Sequence, residues 1–451
     1  MFFFGHTLES AVTASLTSAC RRGRTLALSV LAATTALTVQ ATPESADVHA
    51  DRVDDLPAAS VAAGSPTPAP AAPSASTLGP MLPGGATVDR VERSIQRLES
   101  DQGAYSPFLS EQLLSLAESL QRDGRHQDAI KAYKRGSHLA RINGGLYTSE
   151  QIPLLQGEIR SHLALQNYED ADERQSYLYR VQKRSLDSGE LLVRSLMEQA
   201  RWHERAYHLS LGEDAYVRLL NMWDMYRLAL SDIAMRQGDT SVELLEPLNG
   251  MLRSQYMISE HQMDSSGSGF NSGGSSLTQR QDQGRFWAYR AQAYDKGNAV
   301  INAMYDVSAA QPEPDPVFQA QLLTRLGDWH LWHGQRQPAL AAYTEARTEL
   351  AALDDAQTHI ASLFGQPVAL PDLDGVRPLP AEADPDNAGI VLEFGVTERG
   401  KVVDLERLDE HRSGDGGYRL MRRMRDVVFR PRFEEDAPVA TEQLVKAYVL
   451  P

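Results

Sequence analysis

"LTRLGDWHLWHGQRQPALAAYTEA", Leu323 to Ala346, lies over "LLSLAESLQRDGRHQDAIKAYKRG", Leu113 to Gly136, without a gap. Leu326 falls on Leu116, Gly327 on Ala117, Gly334 on Gly124, Ala339 on Ala129 and Tyr343 on Tyr133. Each match has a physical reason. Small residues at 117/327 and 129/339 let two helices approach closely. Glycine at 124/334 ends the first helix, because it takes positive φ at little cost. The aromatic residue at 133/343 fills the space between one hairpin and the next. Internal repetition of this kind points to stacked helical units that stabilise one another as neighbours.

The same stretch holds His330 and His333, three apart and so on one side of a helix. A zinc site needs a third ligand, and His203 in "WHER" (Trp202–Arg205) is not brought close by anything in the sequence. The expectation is packing for His330, and exposure for His333 just before the turn, with no metal, no cofactor and no catalytic residue.

The paired stretches resemble the tetratricopeptide repeat, a helix–turn–helix unit of about 34 residues. A weaker unit runs from Leu154 to Leu178, with Ala171 in the close-packing place, and a fourth from Tyr226 to Leu248, turning at Gly238. The interval from Ala129 to Ala171 exceeds the standard repeat, so the array is irregular. The expected fold is mainly α: a tetratricopeptide-like α-solenoid over residues 87–363, followed by a small α+β module. Thr87 is the expected N-cap, with Val88, Val91, Ile95 and Leu98 forming the first apolar stripe. The Gly- and Ser-rich tract 265–276 reads as a flexible loop, and "QPEPDPV", Gln311–Val317, as a proline turn. The resemblance implies protein or peptide binding.

Upstream, Arg21, Arg22 and Arg24 precede an apolar stretch from Leu26 to Val39. Val39 and Ala41 stand at the −3 and −1 positions of a cleavage site before Thr42. Residues 1–41 thus read as a secretory signal peptide, and the long stretch before Arg21 fits a start codon downstream of Met1. Residues 42–86, rich in Ala and Pro, read as a disordered tether. The expected compartment is the periplasm. Inner-membrane anchoring with a periplasmic face is the alternative, and membrane association follows only if the apolar segment is retained. The single cysteine, Cys20, lies ahead of the cleavage site. The mature chain then has no disulfide and no thiol nucleophile. A net charge of −16 argues against nucleic acid, whose phosphates would repel the chain.

Residues 364–389 are rich in Pro and Asp and read as a linker. In 390–451, Ile390, Leu392, Phe394 and Val396 alternate as in a strand, and Gly400 suits a hairpin. A return strand through Val403 and Leu405 follows. Leu420, Met421, Met424 and Val427 then line one side of a short helix, and Leu444–Leu450 forms a last strand. The order is ββαβ. With Phe429 and Pro431 after the helix, this resembles the C-terminal domain of the TonB family. That resemblance implies a periplasmic module that meets an extended segment of an outer-membrane receptor by sheet-edge pairing. The candidate partner residues are Arg419, Arg422, Arg423 and Arg425 on the helix and Leu444, Lys446 and Tyr448 on the last strand. Arg430 and Arg432 extend the positive patch, and Glu434–Asp436 reads as an exposed acidic turn.

The sequence holds no Gly-rich phosphate loop, no G-x-S-x-G elbow and no H-E-x-x-H. The expected function is a non-enzymatic periplasmic adaptor. The alternative that the TonB resemblance implies is a divergent energy transducer, or an accessory, for outer-membrane transport.

Overall fold

In the computed structural model, residues 84–212, 214–262, 277–384, 389–409 and 415–449 are described. The signal peptide, the tether up to residue 83 and the loop 265–276 lie outside them. The described chain is mainly helical, with short strands gathered at its C-terminal end.

The first helix, α1 (Gly84–Gln102), opens ahead of Thr87, so Thr87 sits within the first turn and is not its cap. Then come α2 (Leu109–Arg122), α3 (His126–Gly144), α4 (Gln151–Ala164), α5 (Tyr168–Ser185), α6 (Glu190–His208) and α7 (Ala215–Gln237). A 3-10 turn at Val242–Leu244 leads into α8 (Leu245–Glu260). After it run α9 (Leu277–Ala291), α10 (Ala293–Ala309), α11 (Pro316–Trp332), α12 (Arg336–Ala351) and α13 (Ala356–Phe364).

Periodicity explains the packing. In α2, Leu109, Leu113, Leu116, Ala117 and Leu120 are buried, the i, i+4, i+7 stripe of an amphipathic helix. Consecutive helices pack as hairpins, with α2 on α3, α6 on α7 and α11 on α12 the most extensive pairs. The turns are built alike. Gly124 has φ +74° and Gly334 φ +75°. The N–H of Arg125 reaches back to the Leu120 carbonyl at 2.9 Å, as that of Gln335 does to His330 at 2.8 Å, which satisfies carbonyls the helix end would leave open.

Glycine decides how close the layers come. A Cβ built on Gly157 in α4 would overlap the Tyr133 ring of α3. The same holds for Gly250 in α8 under Tyr226 of α7, and for Gly327 in α11 under Tyr343 of α12. Tyr133, Tyr343, Ala129 and Ala339 are fully buried. Gly238, φ +90°, ends α7, and α7 packs on both α6 and α8. The stretch Tyr226–Leu248 is therefore the second half of one hairpin joined to the first helix of the next.

The strands are β1 (Val368–Leu370), β2 (Ile390–Val396), β3 (Val402–Arg407), β4 (Val428–Arg430), β5 (Arg432–Glu434), β6 (Ala437–Val439) and β7 (Thr441–Tyr448). Helix α14 (Asp415–Asp426) lies between β3 and β4. An antiparallel sheet has the order β3–β2–β7, while β1 pairs with β4 and β5 with β6. Ile390, Leu392, Phe394 and Val396 bury their alternate side chains against Leu420, Met424, Phe429 and Tyr448. Gly400, φ +74°, leaves room for the Phe429 carbonyl, and its own carbonyl accepts the Phe429 N–H at 2.8 Å.

Residues 364–389 are not a simple linker. They contribute β1, and Leu373 and Val376 enter the main helical core beside Leu252, Tyr256, Leu322 and Trp329. Gly375, φ +90°, lies against α6 and α8, where a Cβ would stand 2.7 Å from Glu204 Oε1 and 3.2 Å from Arg253 Cδ. The segment is held by packing that its Pro- and Asp-rich composition hides.

Candidate partner-binding site

The C-terminal module is clamped to the end of the helical array. Arg430 in β4 donates to Asp328 Oδ2 in α11 at 2.7 Å, and both side chains are about 95% buried. The Tyr343 hydroxyl donates to Asp328 Oδ1 at 2.8 Å. Burial pushes the Asp328 carboxyl up, against the pull of the Arg430 guanidinium. Phe433 in β5 stands edge-on to Tyr343 and Phe364, with ring centres 5.6 and 5.3 Å away. Arg347 reaches Asp436 at 3.3 Å and lies over the Phe433 ring.

This joint corrects one sequence expectation. Arg430 is not part of a positive surface, because its charge is spent inside on Asp328. The acidic turn Glu434–Asp436 is exposed as expected, and from the surface Asp436 meets Arg347 and Glu434 meets Arg432 at 2.8 Å.

The other four arginines are at the surface. Arg419, Arg422, Arg423 and Arg425 are exposed on α14, beside the exposed Tyr418. Leu420, Met424 and Val427 on the opposite side bury themselves against the sheet. Arg423 is near enough to Glu260, at the end of α8, to favour its carboxylate, although burial raises that group overall. Among the described residues no ion pair engages Arg419, Arg422 or Arg425.

The last strand departs from expectation. Period-two alternation sends Leu444, Lys446 and Tyr448 to the same face of β7, and that face turns inward. Tyr448 is buried, Leu444 packs on the module core, and Lys446 holds Glu382 at 2.9 Å. Gln443 and Val445 on the other face are exposed. The backbone edge is covered at its C-terminal end. Ala383 donates to the Ala447 carbonyl at 2.9 Å and Val449 to that of Ala381 at 3.1 Å. Among the described strands none pairs with β7 on that side, so only its first half, Thr441–Val445, offers an edge.

The histidines belong to the packing. The Tyr294 hydroxyl lies 2.9 Å from His330 Nδ1. His333 is half-buried, not exposed, among the rings of Tyr294, Trp329 and Trp332. Burial pushes His330 down and His333 down to about 4. Among the described residues no group of three or more His, Cys, Asp or Glu is placed to hold a metal ion, and no helix is long and apolar enough to cross a membrane.

His203 gives a pH test. Burial in α6 lowers its pKa to about 4, against about 6.5 unfolded. Between those values the unfolded chain binds a proton that the folded chain refuses. Stability therefore falls as pH drops from about 6.5 to about 4, and this contribution levels off below. The full effect is about 3 kcal/mol. In urea unfolding at pH 7 and pH 4.5, wild type should lose about 2 kcal/mol more than His203→Gln. Equal losses would contradict the buried neutral imidazole.

No model of a known protein family matches the chain. No curated protein matches it either. Among solved structures, the crystal structure of BtubC (BKLC) from P. vanneervenii aligns over 61% of this chain and 94% of that one, at 15% identity and a TM-score of 0.33. So low a score does not establish a shared architecture.

Proposed function

We propose that this protein is a non-enzymatic adaptor of a cell envelope, working in the periplasm, that holds an acidic segment of a partner protein against its C-terminal module. The helical hairpins are read as an irregular tetratricopeptide-like array, on the support of their repeated glycine turns and glycine–tyrosine contacts. The terminal module is read as similar to the C-terminal domain of the TonB family, on the support of its strand order and the turn at Gly400.

The observation that carries the reading is the face of α14. In a chain of net charge −16, four arginines and a tyrosine stand exposed on one short helix. Arg419, Arg422 and Arg423 share a side at i, i+3 and i+4 spacing. Such a surface attracts carboxylates, and arginine grips them through two N–H groups at once. The uncovered half of β7 adds backbone donors and acceptors for an extended chain.

Crosslinking in cells, read by mass spectrometry, tests this. The wild-type chain should crosslink an envelope protein through residues near α14. Arg419→Glu with Arg422→Glu should weaken capture by about tenfold, since each reversal replaces attraction with repulsion. Recovery of no envelope protein, or equal recovery by the variant, would sink the proposal.

A further inference from the structure

The N-terminal end of the array carries a second surface of opposite character. A cleft of about 470 Å³ opens between the start of α2, the end of α3 and the start of α4. Phe108, Leu114 and Pro153 line its wall, and the buried Leu154 contributes to it from α4. Its size is that of a small-ligand or side-chain pocket.

Three more apolar residues lie within two positions of lining residues along the chain. Tyr105, Ile142 and Leu146 are, like Phe108, half or more exposed. Asn143 ties the two sides together, donating to the Tyr105 carbonyl at 3.2 Å and to that of Leu139 at 3.0 Å. The Tyr105 bond thus ties the segment before α2 to the end of α3. Single exposed apolar residues are ordinary, but an exposed Phe108 at a cleft also lined by Leu114, Pro153 and Leu154 offers apolar surface to an incoming side chain.

The charge of the lining names the occupant. Glu111 and Glu150 are the charged residues of the lining, and both are exposed. No ion pair engages either carboxylate among the described residues. We infer that this cleft docks a basic, apolar peptide segment of another protein: a large apolar side chain enters beside Phe108 while flanking Arg or Lys residues meet Glu111 and Glu150. This surface is separate from α14 and selects the opposite charge, so the two can engage different partners.

Labelled peptides test it by fluorescence anisotropy on the full chain. The probe is a hexapeptide with a central Leu–Phe pair flanked by arginines, and the control has glutamates in place of the arginines. The arginine peptide should bind with a dissociation constant of about 10–100 μM and the glutamate peptide about tenfold or more weakly. Phe108→Ser should abolish binding. Glu111→Lys with Glu150→Lys, both at exposed helix N-terminal positions and so only mildly costly to folding, should weaken it about tenfold. Any one of three results would overturn the inference: no binding at millimolar peptide, equal binding of the two peptides, or an unchanged affinity in the Glu variant. A dimer in sedimentation that Phe108→Ser dissolves would assign the face to self-association and would also overturn it.

Discussion

Arg430→Met should destabilise the protein by about 3–5 kcal/mol, the cost of leaving a buried charge without its partner. Arg430 and Asp328 lie 2.7 Å apart with almost no access to water. Met fills much of the space of the arginine stem, so the loss is electrostatic more than steric. The double variant Arg430→Met with Asp328→Asn distinguishes the two. Asn removes the stranded charge and still accepts the hydrogen bond from the Tyr343 hydroxyl. The double variant should therefore recover about half of the loss or more, a coupling that denaturant unfolding of the four proteins measures. A single variant within about 1 kcal/mol of wild type, or a double variant no better than the single, would show that the pair does not fasten the module.

Gly157→Ala and Gly250→Ala should each cost about 1–3 kcal/mol, although alanine is the better helix former. The added methyl falls on the rings of Tyr133 and Tyr226, both buried. Gly284 offers the control, since nothing stands within 4 Å of a Cβ built there. Gly284→Ala should be neutral or stabilise by up to about 1 kcal/mol. Thermal or urea unfolding of the three variants checks this. Equal behaviour at all three positions would mean that the close approach of the helices is not set by glycine.

The outer hairpins were legible because both turns use glycine and both aromatic positions use tyrosine. The middle ones were not, for a reason visible at single residues. The turn after α4 places Gln166 at φ +60° and the turn after α6 places Ser210 at φ +54°, where the outer turns have Gly124 and Gly334. The backbone bonding is nevertheless alike: Asn167 donates to the His162 carbonyl at 2.9 Å and Leu211 to that of Ala206 at 3.0 Å. Packing imposes a left-handed conformation on residues that do not announce it. The Gly157–Tyr133 and Gly250–Tyr226 contacts did leave a signal, since each glycine follows its tyrosine at the same interval.

At the C-terminal end, alternation in β2 was readable because its inward residues are all apolar. On β7 the inward face includes Lys446, which reaches Glu382, and the outward face includes Val445. Polarity there no longer reports direction. Arg430 misled for a related reason: one buried arginine looks like its exposed neighbours until Asp328, far away in the chain, is placed beside it. On α14 the amphipathic spacing was readable, because it separates the arginines from Leu420 and Met424 whatever the helix packs against.

The path of residues 371–377 bears on how the protein is made. The groove that receives Leu373, Gly375 and Val376 is formed by α6, α8 and α11. Translation runs at about 5–20 residues per second, so on the order of a few seconds pass between the synthesis of Trp332, the end of α11, and that of Gly375. During that interval the newborn array presents an unfilled apolar seam, and its last piece arrives from the same chain. The nascent protein is thus open to misassociation along this seam from the time α11 forms until residues 371–377 arrive. A truncation that ends at Phe364 would keep it in that state.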